Sequence, residues 1–208
     1  MPALRLRTML ALASALGAGV LAVPAANAGL VSGLLGSALP SCGATSQPFA
    51  QFGDGHDYCG LPNNGLESGS SGWLLSGGAS VVSGNEPWHV SGAGSHALDL
   101  APGATATSPS VPVGLLDPYF RMFARSIGAN GDLRVQIVFH GLTGNLTGLL
   151  NVGDFAPGAY ADWSPSSLVP SLLALPLGTS SAQVVLTSLA SSGHWQVDDL
   201  YVDPWRNI

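Results

Sequence analysis

The sequence predicts an all-β chain folded as an antiparallel β-sandwich, and three observations carry that expectation. Apolar residues alternate with polar ones at period 2, most clearly at Leu133, Val135, Ile137 and Phe139 against Arg134, Gln136, Val138 and His140. Strand-length runs recur at roughly 8 to 12 residues with Gly, Pro, Asn and Ser between them, the spacing of a sandwich. Helical periodicity is almost absent.

Taken in order, the candidate strands are residues 73–76, 79–83, 96–100, 104–108, 120–125, 133–140, 147–152, 182–189 and 195–202. Phe120, Met122 and Ala124 alternate with Arg121, Phe123 and Arg125, and Gly128-Ala129-Asn130-Gly131-Asp132 follows with strong turn residues. That order predicts an antiparallel hairpin between 120–125 and 133–140. Leu168, Leu172 and Leu175 lie near helical spacing, but Pro170 and Pro176 would keep any helix in 165–177 short. Trp73 and Trp195, inside strand candidates, are expected to pack in the core.

The first residues carry an export pattern. Arg5 and Arg7 form a positive start, residues 9–23 are apolar, and Ala26-Asn27-Ala28 supplies small residues for cleavage before Gly29. The expected organisation is a signal peptide at 1–28, a Gly/Ser/Leu-rich lead-in at 29–48 and a β-sandwich domain at 49–208. The product is then secreted, with no stable membrane insertion after cleavage. About 180 residues remain, enough for one domain with a genuine core.

The chain has no Lys. Without the two signal-peptide arginines, four Arg stand against twelve Asp and Glu, a net charge near −8. Such a chain cannot neutralise a run of phosphates, which argues against nucleic acid and against an anionic membrane surface. Abundant Ala and Gly with Lys absent fit GC-rich coding and a bacterial source. Cys42 and Cys59 are the only cysteines, and in an exported chain an even pair reads as a disulfide. It would pin the segment around Phe49–Phe52 and the loop 53–58 to the sandwich.

Two motifs bracket the domain: Asn63-Asn64-Gly65-Leu66-Glu67-Ser68-Gly69 running to Trp73, and Trp195-Gln196-Val197-Asp198-Asp199-Leu200-Tyr201-Val202. They resemble the opening and the last strand of galactose-binding-like jelly rolls, in particular the xylan- and glucan-binding modules appended to bacterial glycosidases. Leu66 stands where those modules carry Phe. The chain is also similar to small stand-alone secreted actinobacterial proteins of undefined function. The resemblance implies a jelly roll that binds a polysaccharide or cell-envelope glycan, and a structural Ca²⁺ held by Glu67, Asp198 and backbone carbonyls. Period 2 places Asp198 on the inward face with Leu200 and Val202, where a carboxylate must be paired, hydrogen-bonded or metal-bound. The alternative to a metal is an Asp198 that accepts N–H bonds from the 63–65 turn.

Sugar binding needs exposed aromatic faces beside planar polar groups. Trp88, Tyr160 and Trp163 sit in loop-like sequence, and Arg121, Arg125, Arg134, Gln136 and His140 alternate away from core stripes. These eight are the candidate ligand residues. The chain lacks a Gly-x-Ser-x-Gly elbow, His-Glu-x-x-His, a P-loop and Gly-x-Gly-x-x-Gly, and it has only two Glu, Glu67 and Glu86. A non-catalytic module is therefore expected. The rival expectation is a structural or protein-interaction module of the cell surface without sugar affinity.

Overall fold

The computed structural model describes residues 44–112, 119–170 and 177–203, all within one compact unit, Ser37–Ile208. The expected signal peptide, Cys42 and the 171–176 part of the Leu-rich stretch lie outside the described residues. Thirteen strands occur among those described: β1 (Cys59–Gly60), β2 (Leu74–Ser76), β3 (Ala79–Ser83), β4 (His96–Leu100), β5 (Thr105–Thr107), β6 (Val111–Pro112), β7 (Tyr119–Ile127), β8 (Leu133–Gly141), β9 (Leu146–Phe155), β10 (Ser164–Pro165), β11 (Val169–Pro170), β12 (Thr179–Ser188) and β13 (His194–Asp203). Short 3-10 turns occupy Ala50–Phe52 and Pro157–Tyr160.

The strands form two antiparallel sheets, so the fold is the expected β-sandwich. The first sheet runs β10-β7-β13-β4-β3, with β1 on β13 and β11 on β7; the second runs β2-β5-β12-β8-β9, with β6 on β12. Alternation decides what lies between them. Leu98, Leu100, Met122, Ala124, Trp195 and Val197 from the first sheet meet Leu133, Val135, Val184 and Leu186 from the second. Burying each large side chain contributes roughly 1.5–3 kcal/mol, which makes this layer the main source of stability. Trp195 is fully buried, its indole N–H donating to the carbonyl of Gly131 at 2.9 Å. Trp73 donates to the carbonyl of Asn63 at 3.2 Å, tying the front motif to the next strand.

One expectation is corrected. The 120–125 and 133–140 runs do not form a hairpin: β7 pairs with β13, β10 and β11, whereas β8 pairs with β12 and β9. The Gly128–Asp132 turn carries the chain from one sheet to the other, and Gly128 bridges His194 on the way. Residues 164–170 are extended in two short bridges to β7, with no helical turn among them.

A second aromatic cluster lies outside the sandwich. Phe49, Tyr58, Phe123 and Tyr201 are buried together, with Phe52, Trp88, Val90 and Trp163 partly buried against them. The segment that enters the domain thus covers part of the first sheet's outer face. Ser46 and Tyr58 exchange two backbone hydrogen bonds of 2.9 and 2.7 Å, closing the loop that presents Phe49. Cys59 is fully buried at the start of β1, and no described cysteine is a free thiol. Non-reducing peptide mapping should find Cys59 joined to Cys42, and reduction should lower stability by about 3 kcal/mol. Two alkylatable thiols in the folded protein would contradict the bridge.

Candidate functional site

The eight candidate ligand residues do not converge. Period 2 assigns their faces correctly within each strand, but β7 and β8 belong to different sheets, so their outward faces point in opposite directions. Arg134, Gln136 and His140 share the outer face of the second sheet. There Arg134 pairs with Asp154 at 3.0 Å and Gln136 donates to Asn151 at 2.7 Å, both across the β8–β9 ladder. His140 Nδ1 lies 3.4 Å from the carbonyl of Gly144 in the hairpin loop, and its buried Nε2 has no partner. No aromatic ring of the candidate set joins them.

Two candidates are structural. Tyr160 is buried against Trp195 and Phe155, with ring centroids 5.9 and 5.5 Å apart, so it belongs to the core and not to an exposed loop. Pro157 starts the 3-10 turn that points it inward. Burial raises its hydroxyl pKa above the ordinary value, against the N–H of Ser167. Arg121 is also buried. Its Nη1 donates to Asp54 at 2.7 Å, its Nε and Nη2 donate to the carbonyl of Ser166 at 2.9 and 2.5 Å, and its guanidinium lies 4.3 Å from the centre of the Phe49 ring. Burial alone would raise the Asp54 carboxyl, yet hydrogen bonds from Tyr58, His56 and Arg121 outweigh it and hold its pKa at about 2. Buried, and with each of its three nitrogens bonded to Asp54 or Ser166, Arg121 is a fastener for the entering segment.

The remaining candidates, Trp88, Trp163 and Arg125, share the outer face of the first sheet. Trp163 directly precedes β10, and the Arg125 guanidinium stands 4.9 Å from its ring centre. Arg125 Nε donates to Gln196 at 2.9 Å, Gln196 Nε2 donates to Asp99 at 3.2 Å, and Asp99 also takes His194 Nδ1 at 2.9 Å. The register explains the row: Gln196 lies opposite Arg125 on one side and Asp99 on the other. It crosses from β10 through β7 and β13 to β4, three strand spacings of ~4.8 Å, or about 14 Å. Trp88 stands nearby, partly buried, 5.4 Å from Phe123 on the same face. Sequence reading had missed Asp99, Gln196 and His194. The first two were accessible to it, since both alternate outward in their strands.

The front and closing motifs meet at one corner, as their sequence suggested. β1 pairs with β13, Leu61 donates to the carbonyl of Leu200 at 3.0 Å, and Asn64 reaches Asp199 at 3.5 Å. The acid residues are arranged differently from the expectation. A bulge at Asp199, whose φ is +50°, shifts the register between Asp198 and Tyr201. Asp198 therefore lies opposite Phe123 and faces outward beneath the β3–β4 loop, not inward with Leu200. Its Oδ2 accepts the Glu86 N–H at 3.1 Å and its Oδ1 the Asp199 N–H at 2.8 Å, in place of donors from the 63–65 turn.

Glu86, Asp198 and Asp199 are all fully buried, and among the described residues no ion pair neutralises them. Glu86 caps its own loop by accepting the N–H groups of Trp88 and Val90 at 2.5 and 2.6 Å. Burial, reinforced by the Asp199 charge, pushes the Asp198 carboxyl up to about 8. Burial likewise raises Asp199, against hydrogen bonds from Ser91 and with the Glu86 carboxyl alongside. Its Oδ2 has no partner. A Cβ at Gly65 would stand 3.1 Å from Asp199 Oδ1 and 3.3 Å from Ser91 Oγ, so a side chain there would press on the cluster.

Glu67 is placed elsewhere. Its carboxylate takes the backbone N–H groups of Ser95 and His96 at 2.7 and 2.9 Å, and the Ser95 hydroxyl and His96 ring at 3.2 and 3.1 Å. Burial opposes ionisation, but His96 and the Ser95 and His96 amides hold the pKa at about 2. It anchors the start of β4. Among the described residues no three His, Cys, Asp or Glu side chains stand grouped for a metal. Glu67 and Asp198, expected to share an ion, are held by different partners and do not form one site.

No protein-family model matches this chain, and no curated protein matches it in sequence. Among solved structures it is similar to the enzymatically active domain of bacteriophage CBA120 tailspike protein 4, at 15% identity and TM-score 0.47 over 69% of this chain and 21% of that one. The tandem CBM22 domain of Paenibacillus barcinonensis Xyn10C gives 15% identity and TM-score 0.48, over 71% of this chain and 44% of the other. A family 16 carbohydrate-binding module gives 17% identity and TM-score 0.46, over 68% and 97%. The chain spans about a fifth of the tailspike domain and under half of the tandem module.

Proposed function

We propose that the protein is an exported, non-catalytic β-sandwich module that binds a polysaccharide on the outer face of the first sheet. The observation that carries this reading is the Trp163–Arg125–Gln196–Asp99–His194 row. An indole offers an apolar face to the ring C–H groups of a pyranose. The Arg125 guanidinium and the Asp99 carboxylate supply planar donors and acceptors for its hydroxyls, and the buried Gln196 carboxamide between them holds both in place. Because these groups already hold one another in register across four strands, little side-chain entropy remains to be lost on binding. The calcium implied by the resemblance joins this proposal as a structural ion at Asp198 and Asp199, where hard oxygens would receive it and its charge would relieve their burial.

Screening on a glycan array should return a neutral polysaccharide hit. Trp163→Ala and Arg125→Ala should each weaken it about tenfold or more, a loss of about 1.4 kcal/mol, while melting temperature stays near the wild-type value. A hit that survives both substitutions would move the site off this face.

A protein-interaction role has its own observation. β9 is a sheet-edge strand, and it exposes Leu146 and Leu149 next to Leu142 in the hairpin loop. Unpaired edge backbone with apolar side chains suits pairing with another chain. A folded protein that is blank on the array would favour that reading.

A further inference from the structure

Trp88 has a role that the polar row leaves unused. It walls a cavity of about 350 Å³ whose lining includes Ser46, Gln47, Pro48, Gln51 and Val90, and no lining residue is ionisable. The volume falls within the ~300–1,000 Å³ range of small-ligand sites. Its chemistry is an indole, a proline ring and a valine for apolar contact, with two exposed carboxamides for hydrogen bonding. Each carboxamide offers a donor and an acceptor in one plane, which matches a pair of neighbouring hydroxyls. The absence of charge selects against anionic and cationic ligands.

The cavity adjoins the row through one residue. Trp88 lies 5.4 Å from Phe123 and also packs edge-on against Phe52, at 4.8 Å. Phe123 and Arg125 are two positions apart on the same face of β7, about 7 Å at ~3.4 Å per residue. Trp88 and Arg125 therefore stand at most about 12 Å apart, within reach of adjoining units of one chain.

We infer that this cavity is a second, charge-free subsite that takes a neutral sugar residue of the same glycan chain that crosses the Trp163–Arg125 row. The inference rests on the carbohydrate reading and adds an extended, neutral oligosaccharide as the ligand class. It also gives the entering segment 46–51 a binding task besides covering Phe123.

The test is calorimetric titration with neutral xylo-, cello-, manno- and galacto-oligosaccharides, each as disaccharide and hexasaccharide. Gln47→Ala/Gln51→Ala is the main variant, since both side chains are exposed and the fold does not depend on them; Trp88→Ala is the second. The double variant should bind the preferred hexasaccharide about tenfold more weakly and leave disaccharide affinity unchanged, whereas Trp163→Ala should weaken both. Equal hexasaccharide affinity in wild type and double variant would overturn the subsite and leave the row reading standing. No binding of any oligosaccharide by the wild type would overturn both.

Discussion

Replacing Arg121 by Ala should destabilise the fold by about 3–5 kcal/mol, the cost of breaking a buried ion pair by removing one partner. Arg121 and Asp54 are 7% and 8% exposed, and the guanidinium also satisfies the Ser166 carbonyl and covers Phe49. Without it the Asp54 carboxylate keeps Tyr58 and His56 but loses its countercharge. The Phe49–Tyr58 loop should detach before the sandwich melts, because its aromatic cluster is separate from the inter-sheet core. Chemical denaturation at pH 7 measures the loss, and near-ultraviolet circular dichroism reports the aromatic cluster. Substituting both partners, Arg121→Met with Asp54→Leu, should recover much of the stability, since no buried charge is left alone. A single-variant loss below about 1 kcal/mol would mean that the pair behaves as a solvated surface bridge.

Arg121 also shows how far local pattern reaches. Its alternation correctly set it on the face opposite Met122, and an outward face was then equated with solvent. The entering segment covers that face, and nothing in the local sequence of β7 signals the cover. Strand existence was legible almost throughout, since period 2 depends only on residues near in sequence. Strand partnership was not. Gly128–Asp132 has the same turn residues whether the chain returns within one sheet or crosses to the other, so the hairpin was misplaced. That misplacement joined Arg121 and Arg125 to Arg134, Gln136 and His140 as one surface, when the sandwich turns the two sets apart. The bulge at Asp199 has the same character: one extra residue reverses the face of everything before it, and a strict alternation cannot register it. The Asp-Asp doublet was its visible trace. The meeting of the front and closing motifs was legible because the first and last strands of a sandwich often lie side by side.

Stability should fall as pH rises from 5 to 8, by about 3 kcal/mol if Asp198 dominates. In the fold its carboxyl sits at about 8, raised by burial and then by Asp199, against an ordinary value of 3.8. Between those values the folded chain keeps a proton that the unfolded chain releases, so each pH unit costs up to ~1.4 kcal/mol. Asp199, also raised, adds to the same limb. Asp54 acts oppositely. Its folded value of about 2 lies below the unfolded one, so its contribution is full above about pH 4 and disappears as pH falls through 2. The optimum should therefore lie near pH 4–5. Denaturation across pH 3–9 in chelator measures this profile, and Asp199→Asn should flatten its alkaline limb by removing one buried charge. Calcium provides the deciding arm. If Asp198 and Asp199 receive the ion, millimolar Ca²⁺ at pH 8 should restore what the rise in pH removed, because the cation then stands where the protons stood at pH 5. An alkaline limb unchanged by Ca²⁺ would leave the corner held by protons alone. A flat profile in chelator would show that the fold leaves these carboxyls at their ordinary values.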